Sequence, residues 1–154
     1  MSQSTRRVLL VCTANICRSP MAQAILQAEI AKRRLPMEVN SAGLLNMGGR
    51  PAASEAKLVC ERAGTPLPKL ESRCMSVTDV EWADIILVTE PWQRDEIVQA
   101  FAVTSEREVR LLSEFDPWSQ GESVNDPVGG STEEFEACYE RLRDCIEGFL
   151  SRYH

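Results

Sequence analysis

Cys12 and Arg18 enclose a short segment whose residue types and spacing suit chemistry on a phosphate group. A cysteine thiolate is a strong nucleophile, and the planar guanidinium of arginine matches two phosphate oxygens at once. The residues between them are Thr13, Ala14, Asn15, Ile16 and Cys17. A C-x5-R pattern alone is common by chance, so the surrounding elements decide what it means.

The segment lies between a predicted strand and a predicted helix. Residues 8–11 are an apolar run, and the apolar spacing after Ser19-Pro20 is helical. Ligands bind beyond the carboxyl ends of parallel strands, and a helix N-terminus favours an anion. The backbone N–H groups of residues 13–18 can form a nest for that anion. This setting also favours the thiolate form of Cys12, to which Ser19 can donate a hydrogen bond.

The rest of the chain alternates predicted strands with predicted helices. Strands are expected at 7–11, 38–41, 84–88 and 109–112, and helices at 18–34, 51–63, 78–82, 91–101 and from 132 onward. Residues 113–131 remain as a loop, and a loop of this length is usually functional. The alternation predicts one α/β domain over 1–154, with a parallel sheet of about four strands flanked by helices in three layers.

Composition restricts the classes of function. The net charge of −6 argues against nucleic acid and anionic membranes as partners. No apolar run is long enough to span a bilayer, and the polar start leaves no room for a signal peptide, so we expect a cytoplasmic protein. The six cysteines are expected to be reduced. There is no C-x2-C pair and the one histidine is His154, so we expect neither a metal nor a cofactor.

Three segments resemble one known family. Residues 11–22, Val-Cys-Thr-Ala-Asn-Ile-Cys-Arg-Ser-Pro-Met-Ala, resemble the signature of the low-molecular-weight protein-tyrosine phosphatases. Residues 41–43 are similar to that family's second loop, and residues 125–130 to the segment that carries its general acid. The resemblance implies a phosphotyrosine-containing protein as substrate, with bacterial tyrosine kinases among the candidate partners. It leaves the oligomeric state open.

The resemblance also implies roles for individual residues. Cys12 is the nucleophile that forms a phosphocysteine, while Arg18 and the loop amides hold the phosphoryl oxygens. Asn15 shapes the loop through Ser19 and Ser41. A carboxylate must then act as acid and later as base, because the chain has no usable histidine.

Two Asp-Pro pairs compete for the role of that carboxylate. Asp116-Pro117 has an aromatic neighbour, Trp118, as is often seen after the family's acid. Asp126-Pro127 stands at the right distance from the last helix and is followed by two glycines. We therefore favour Asp126. A simple turn is the alternative interpretation of either pair.

The substrate has an alternative within the same scaffold. Arginine phosphatases also resemble this chain in the Asp-Pro-x-Gly-Gly-Ser segment at 126–131. They tend to carry threonine where this chain has Ile16, and a branched apolar side chain there crowds a guanidinium but suits a phenyl ring. Ile16 therefore favours phosphotyrosine. A phosphate-binding module without turnover is a third reading, which the presence of both Cys12 and Asp126 makes less favourable.

Several positions depart from the pattern of the family. Met47 and Val128 stand where phosphotyrosine-recognising members carry aromatic residues, so Trp92 and Trp118 become candidates for the pocket wall. Leu70 stands near a position that holds histidine in some members. Ala14 replaces a more usual glycine, which predicts that the backbone there does not need a positive φ.

The remaining cysteines separate into two groups. The spacing of Cys60, Cys138 and Cys145 predicts core packing, which argues against the cysteine shuttle of related arsenate reductases. Cys17 is a candidate redox partner, because a disulfide with Cys12 would shield the nucleophile from irreversible oxidation. A buried structural thiol is the alternative for Cys17.

Overall fold

The computed structural model describes residues 5–101, 108–118 and 120–153 and contains one parallel sheet. Its strands are β1 (Arg6–Cys12), β2 (Met37–Gly43), β3 (Ile85–Val88) and β4 (Glu108–Leu111), in the order β2-β1-β3-β4. The central strands β1 and β3 are apolar and fully buried where they pair. Continuous apolar runs are typical of parallel strands that are covered on both faces.

Helices cover both faces of the sheet. They are α1 (Arg18–Arg33), α2 (Ser54–Arg62), α3 (Val77–Trp82), α4 (Pro91–Ala100) and α5 (Thr132–Tyr153). Alternate residues of β1 enter two separate cores: Val8 and Leu10 pack with α1, α2 and α5, whereas Leu9 and Val11 pack with α3 and α4. The predicted three-layer α/β architecture is confirmed. Within the described residues, no helix has the length and apolar character needed to cross a bilayer.

Most predicted boundaries shift by one to three residues in the structure. Helix α2 begins at Ser54 because Pro51 instead forms an isolated antiparallel bridge with Glu71. Helix α3 begins at Val77 rather than at residue 78, and the backbone N–H of the preceding Ser76 donates to the Asp79 carboxylate over 2.8 Å. Strand β4 ends at Leu111 because a 3₁₀ turn (Leu112–Phe115) follows it directly. The predicted loop at 113–131 therefore begins with buried, ordered structure rather than with irregular chain.

Candidate active site

The carboxyl end of β1 places Cys12 at the start of a tight segment that leads into α1, called here the Cys12 loop (residues 12–18). The Cys12 sulfur is buried and accepts backbone N–H bonds from Asn15 over 3.3 Å and from Ser19 over 3.4 Å. The Ser19 Oγ lies 3.0 Å from the same sulfur. Donors that converge on a sulfur favour its anionic form.

Asn15 holds the shape of the Cys12 loop. Its φ is +59°, a left-handed conformation that asparagine adopts more readily than most residues. The side chain donates to the Ser19 Oγ over 2.8 Å and to the Ser41 Oγ over 3.0 Å, and it accepts the Arg73 backbone N–H over 3.1 Å. Ala14 has no positive φ, so the left-handed residue of this loop is Asn15.

The chain that follows β2 backs the Cys12 loop from outside. The backbone N–H groups of Leu44 and Leu45 both donate to the Thr13 carbonyl over 2.9 Å. A Cβ at Gly43 would lie 2.8 Å from the Ala14 carbonyl carbon and 2.9 Å from the Asn15 nitrogen. Only glycine allows β2 to approach the loop backbone this closely.

Arg18 is almost fully buried and joins the two halves of the site. Its Nη1 donates to the Glu90 carboxylate over 2.9 Å and to the Val124 carbonyl over 2.7 Å. Its Nη2 donates to the Thr13 Oγ1 over 3.1 Å and lies 3.4 Å from the Asp126 carboxylate. Its Nε is buried without a protein partner. A buried N–H that lacks an acceptor is costly, so this donor indicates a position for a ligand oxygen.

Sequence reasoning missed two polar residues at the start of α4. Glu90 accepts from Arg18, and the buried Gln93 donates to the Thr13 Oγ1 over 3.2 Å. The side-chain amide oxygen of Gln93 accepts from the backbone N–H groups of Thr89 and Glu90, each over 2.9 Å. The sequence did carry a signal for these residues. Thr89 and Glu90 directly follow β3, and the carboxyl end of β3 lies beside that of β1 at the same edge of the sheet.

The structure places the two Asp-Pro pairs in different environments. Asp126 is 36% exposed and points one carboxylate oxygen at Arg18, while its other oxygen accepts the Val128 N–H over 3.1 Å. Asp116 is only 2% exposed. It is paired with Arg141 over 3.3 Å and accepts the Trp118 N–H over 2.9 Å. Asp126 therefore faces the Cys12 loop, whereas both oxygens of Asp116 are engaged elsewhere.

Four cysteines besides Cys12 are buried thiols. Burial raises the pKa of each to about 12, so they remain protonated near neutral pH; they are Cys17, Cys60, Cys138 and Cys145. Cys74 is exposed. In the described part of the chain, no cluster of histidine, cysteine and carboxylate side chains could hold a metal ion.

Comparison with known proteins matches this fold and site to one family. Residues 7–153 match the family model for low molecular weight phosphotyrosine protein phosphatases. The human protein of that description is 30% identical, and the alignment covers 99% of this chain and 98% of the relative. A protein-arginine-phosphatase from Geobacillus stearothermophilus is 32% identical, with 92% and 91% covered.

Solved structures agree with the sequence matches. The low molecular weight protein tyrosine phosphatase from T. tengcongensis superposes with a TM-score of 0.89 at 28% identity, covering 96% of this chain and 99% of that one. The arginine phosphatase from Geobacillus stearothermophilus gives a TM-score of 0.82 at 30% identity, covering 97% and 98%. Fold and relatives together define a small α/β protein phosphatase. The chain belongs to the low-molecular-weight phosphotyrosine protein phosphatase family.

Proposed function

We propose that this protein is a protein-tyrosine phosphatase that works through a phosphocysteine intermediate on Cys12. The observation that carries the proposal is the convergence of three groups on one loop. The Cys12 sulfur accepts two backbone N–H bonds, the buried Arg18 has an Nε donor without a protein partner, and the Asp126 carboxylate lies 3.4 Å from Arg18.

In the first step the Cys12 thiolate attacks phosphorus, so an S–P bond forms while the bond from phosphorus to the tyrosyl oxygen breaks. Arg18 and the amides of residues 13–18 bind the equatorial oxygens, where the transition state spreads its charge. Asp126 gives its proton to the tyrosyl oxygen as that group leaves.

In the second step water attacks the phosphorus of the phosphocysteine while the Asp126 carboxylate takes a proton from that water, so a P–O bond forms as the S–P bond breaks. The Cys12 sulfur leaves as a thiolate, which the Ser19 Oγ at 3.0 Å is placed to stabilise. One carboxylate thus serves both steps. We predict that Asp126→Asn lowers turnover of aryl phosphates by a factor on the order of 10²–10⁴.

A solved relative supports covalent transfer on this fold. An arginine phosphatase in which the cysteine is replaced by serine contains a phosphorylated active-site serine, and it superposes on this chain with a TM-score of 0.87 at 25% identity. We carry the covalent step over to Cys12 because it occupies the carboxyl end of β1, beside the buried Arg18.

The surface near the site favours an aromatic substrate. Leu45, Trp92 and Val128 are apolar side chains that are 50%, 45% and 56% exposed, and each belongs to a segment near the site. The backbone of Leu45 is bonded to Thr13, and that of Val128 to the Asp126 carboxylate. Trp92 stands two residues after Glu90, the partner of Arg18. We infer that a flat phenyl ring packs against these exposed apolar side chains.

The alternative is a phosphoarginine substrate, which the 32% identical arginine phosphatase and the Asp-Pro-x-Gly-Gly-Ser segment favour. The test compares kcat/KM for two peptides of one sequence, one with phosphotyrosine and one with phosphoarginine. We expect preference for phosphotyrosine, reduced in Ile16→Thr. Preference of the wild type for phosphoarginine would overturn the substrate assignment.

Assays with p-nitrophenyl phosphate separate an enzyme from a binding module. We expect Cys12→Ser to lose turnover by a factor on the order of 10⁴ or more, because the nucleophile is replaced by an unactivated hydroxyl. Inorganic phosphate should still bind the variant, because Arg18 and the loop amides remain. Equal turnover of the variant and the wild type would remove Cys12 from the mechanism.

We also propose Cys17 as the redox partner of Cys12. Peroxide oxidises the Cys12 thiolate to a sulfenic acid, and the Cys17 thiol then displaces water to form a disulfide. Both residues are reduced and buried in the same loop. Mass spectrometry after peroxide treatment should find a Cys12–Cys17 crosslink, and a sulfinic acid on Cys12 without any crosslink would contradict the proposal.

A further inference from the structure

The segment that carries Asp126, called here the Asp126 loop (residues 120–131), lacks close packing on one side. A cavity of about 280 Å³ lies against it, lined by Val124, Asp126, Pro127, Cys138 and Arg141 among others. No helix or strand runs through residues 120–131. Val124 and Pro127 are the buried residues of this loop, and its other residues are at least partly exposed. Polar contacts therefore contribute to the position of the loop.

Arg141 supplies such contacts from α5. Its Nη2 donates to the Glu122 carbonyl over 3.0 Å, and its Nη1 donates to the Ser123 carbonyl. Its Nε donates to the buried Asp116 carboxylate over 3.3 Å. One guanidinium thus ties the start of the Asp126 loop to the chain before it and to the last helix. A lysine cannot copy this arrangement, because its ammonium lacks the planar fork.

The restraint continues from these carbonyls to Asp126. Val124 follows Ser123 directly, and its N–H donates to the Thr89 carbonyl over 2.9 Å at the end of β3. The Val124 carbonyl accepts from Arg18 over 2.7 Å. Asp126 stands two residues further on. Three consecutive carbonyls of the loop are therefore held by two arginines, one from α1 and one from α5.

The geometry points to Arg141 as the positioning residue of the proton-transfer step: it holds the Asp126 loop so that the Asp126 carboxylate reaches the leaving oxygen. This inference rests on the proposed role of Asp126 as general acid. It assigns Arg141 no contact with substrate. Loss of Arg141 should therefore impair protonation of the leaving group and leave the Cys12 loop intact.

The test uses two substrates that differ in their need for an acid. p-Nitrophenolate is a weak base that leaves with little help, whereas phenolate needs a proton. We measure kcat/KM, which reports the first step, for p-nitrophenyl phosphate and phenyl phosphate. Arg141→Gln should lower the value for phenyl phosphate by a factor on the order of 10–100 and the value for p-nitrophenyl phosphate much less.

Two further variants complete the comparison. Arg143→Gln removes an exposed arginine two residues along the same helix that pairs with the exposed Glu140, and it should leave both values unchanged. In an Asp126→Asn background, Arg141→Gln should cause no additional loss, because the group that it positions is already gone. The rate of Cys12 alkylation by iodoacetate should equal that of the wild type.

The outcomes distinguish this inference from the function on which it rests. If Asp126→Asn lowers kcat/KM by the same factor for both substrates, the assignment of Asp126 as general acid is wrong. If Asp126→Asn discriminates between them and Arg141→Gln does not, the inference about Arg141 is wrong. If Arg141→Gln fails to fold, the same two assays are made on Arg141→Lys and Asp116→Asn. Equal losses of kcat/KM for the two substrates in both variants would overturn the inference about Arg141.

Discussion

The Cys12 loop and the Asp126 loop hold the two halves of one site in different ways. The Cys12 loop is bonded within itself, to Ser19 of α1 and to Ser41 of β2, and its Asn15 and Arg18 are buried. The Asp126 loop borders a cavity and is held by arginines from α1 and α5. The phosphate-binding half is thus built into the core, whereas the proton-transfer half is attached to it through distant side chains.

Among the variants that test this comparison, Arg18→Lys should have the largest effect, because Arg18 serves both halves. The lysine would lose the donors to Glu90, Val124 and Thr13 together with the unpartnered Nε. We expect kcat/KM for p-nitrophenyl phosphate to fall by a factor on the order of 10²–10³. Steady-state kinetics measures this loss. A fall of less than threefold would break the claim that one arginine joins the two loops.

Gly43→Ala tests how rigid the Cys12 loop is. The new Cβ would press on backbone atoms of Ala14 and Asn15 at less than 3.0 Å, and backbone cannot move aside as a flexible side chain can. We expect kcat to fall by about tenfold or more. Gly64→Ala is the matched control, since Gly64 has a positive φ but no neighbour near its Cβ. It should cost about 1–2 kcal/mol of stability and leave kcat unchanged. Equal kcat values for both variants would contradict the rigid-loop account.

Asp79→Asn tests an ion pair that contacts the Cys12 loop without belonging to it. Asp79 is buried, pairs with the Arg73 guanidinium and accepts the Ser76 N–H at the start of α3. The Arg73 backbone N–H in turn holds Asn15. We expect the free energy of unfolding to fall by about 1–2 kcal/mol, with a smaller effect on kcat. Urea unfolding and steady-state assays measure the two quantities. A large fall in kcat at unchanged stability would place Asp79 in the chemistry instead.

The last prediction concerns stability at alkaline pH rather than turnover. The thiols of Cys17, Cys60, Cys138 and Cys145 have a pKa of about 12 in the folded protein against a reference value of 9.0. Between these values the folded state binds more protons than the unfolded state, so stability must fall as pH rises from 9 towards 12. Below pH 9 these groups contribute no pH dependence.

Urea unfolding at about pH 8 and about pH 10.5 checks this sign. Cys145→Ala should reduce the loss of stability between the two values, because one buried thiol fewer titrates on unfolding. Cys74→Ala, which removes the exposed cysteine, is the matched control and should leave the pH dependence as it is. A larger loss in Cys145→Ala than in the wild type would contradict the assignment.

The same difference between the loops explains what the sequence could predict. The strand, Cys12, Asn15 and Arg18 lie within a few residues of one another, so spacing pointed to Cys12 and Arg18 and the family resemblance added Asn15. Glu90 and Gln93 reach the site from 72 and 80 residues away in the chain. Arg141 acts on carbonyls 18 and 19 residues before it. Contacts of this kind depend on how helices pack, which hydrophobic periodicity does not specify.

The choice between the Asp-Pro pairs illustrates the same limit. Sequence favoured Asp126 on its distance to the last helix, but the buried ion pair of Asp116 with Arg141 could not be read from the residues. Likewise, Pro51 predicted a helix start that its pairing with Glu71 overrode. At Pro51 a tertiary contact overrode the local signal. At the two aspartates a tertiary contact separated residues that look alike in the sequence.

The most direct test of the two-part site is rapid acid quenching of Asp126→Asn during turnover of p-nitrophenyl phosphate, followed by mass spectrometry of the peptide that contains Cys12. The good leaving group still departs without a strong acid, whereas water activation lacks its base. Our account predicts that one phosphoryl group accumulates on Cys12 and that none is found in Cys12→Ala. A phosphoryl group on another residue, or turnover with no phosphorylated Cys12 at any time, would contradict it.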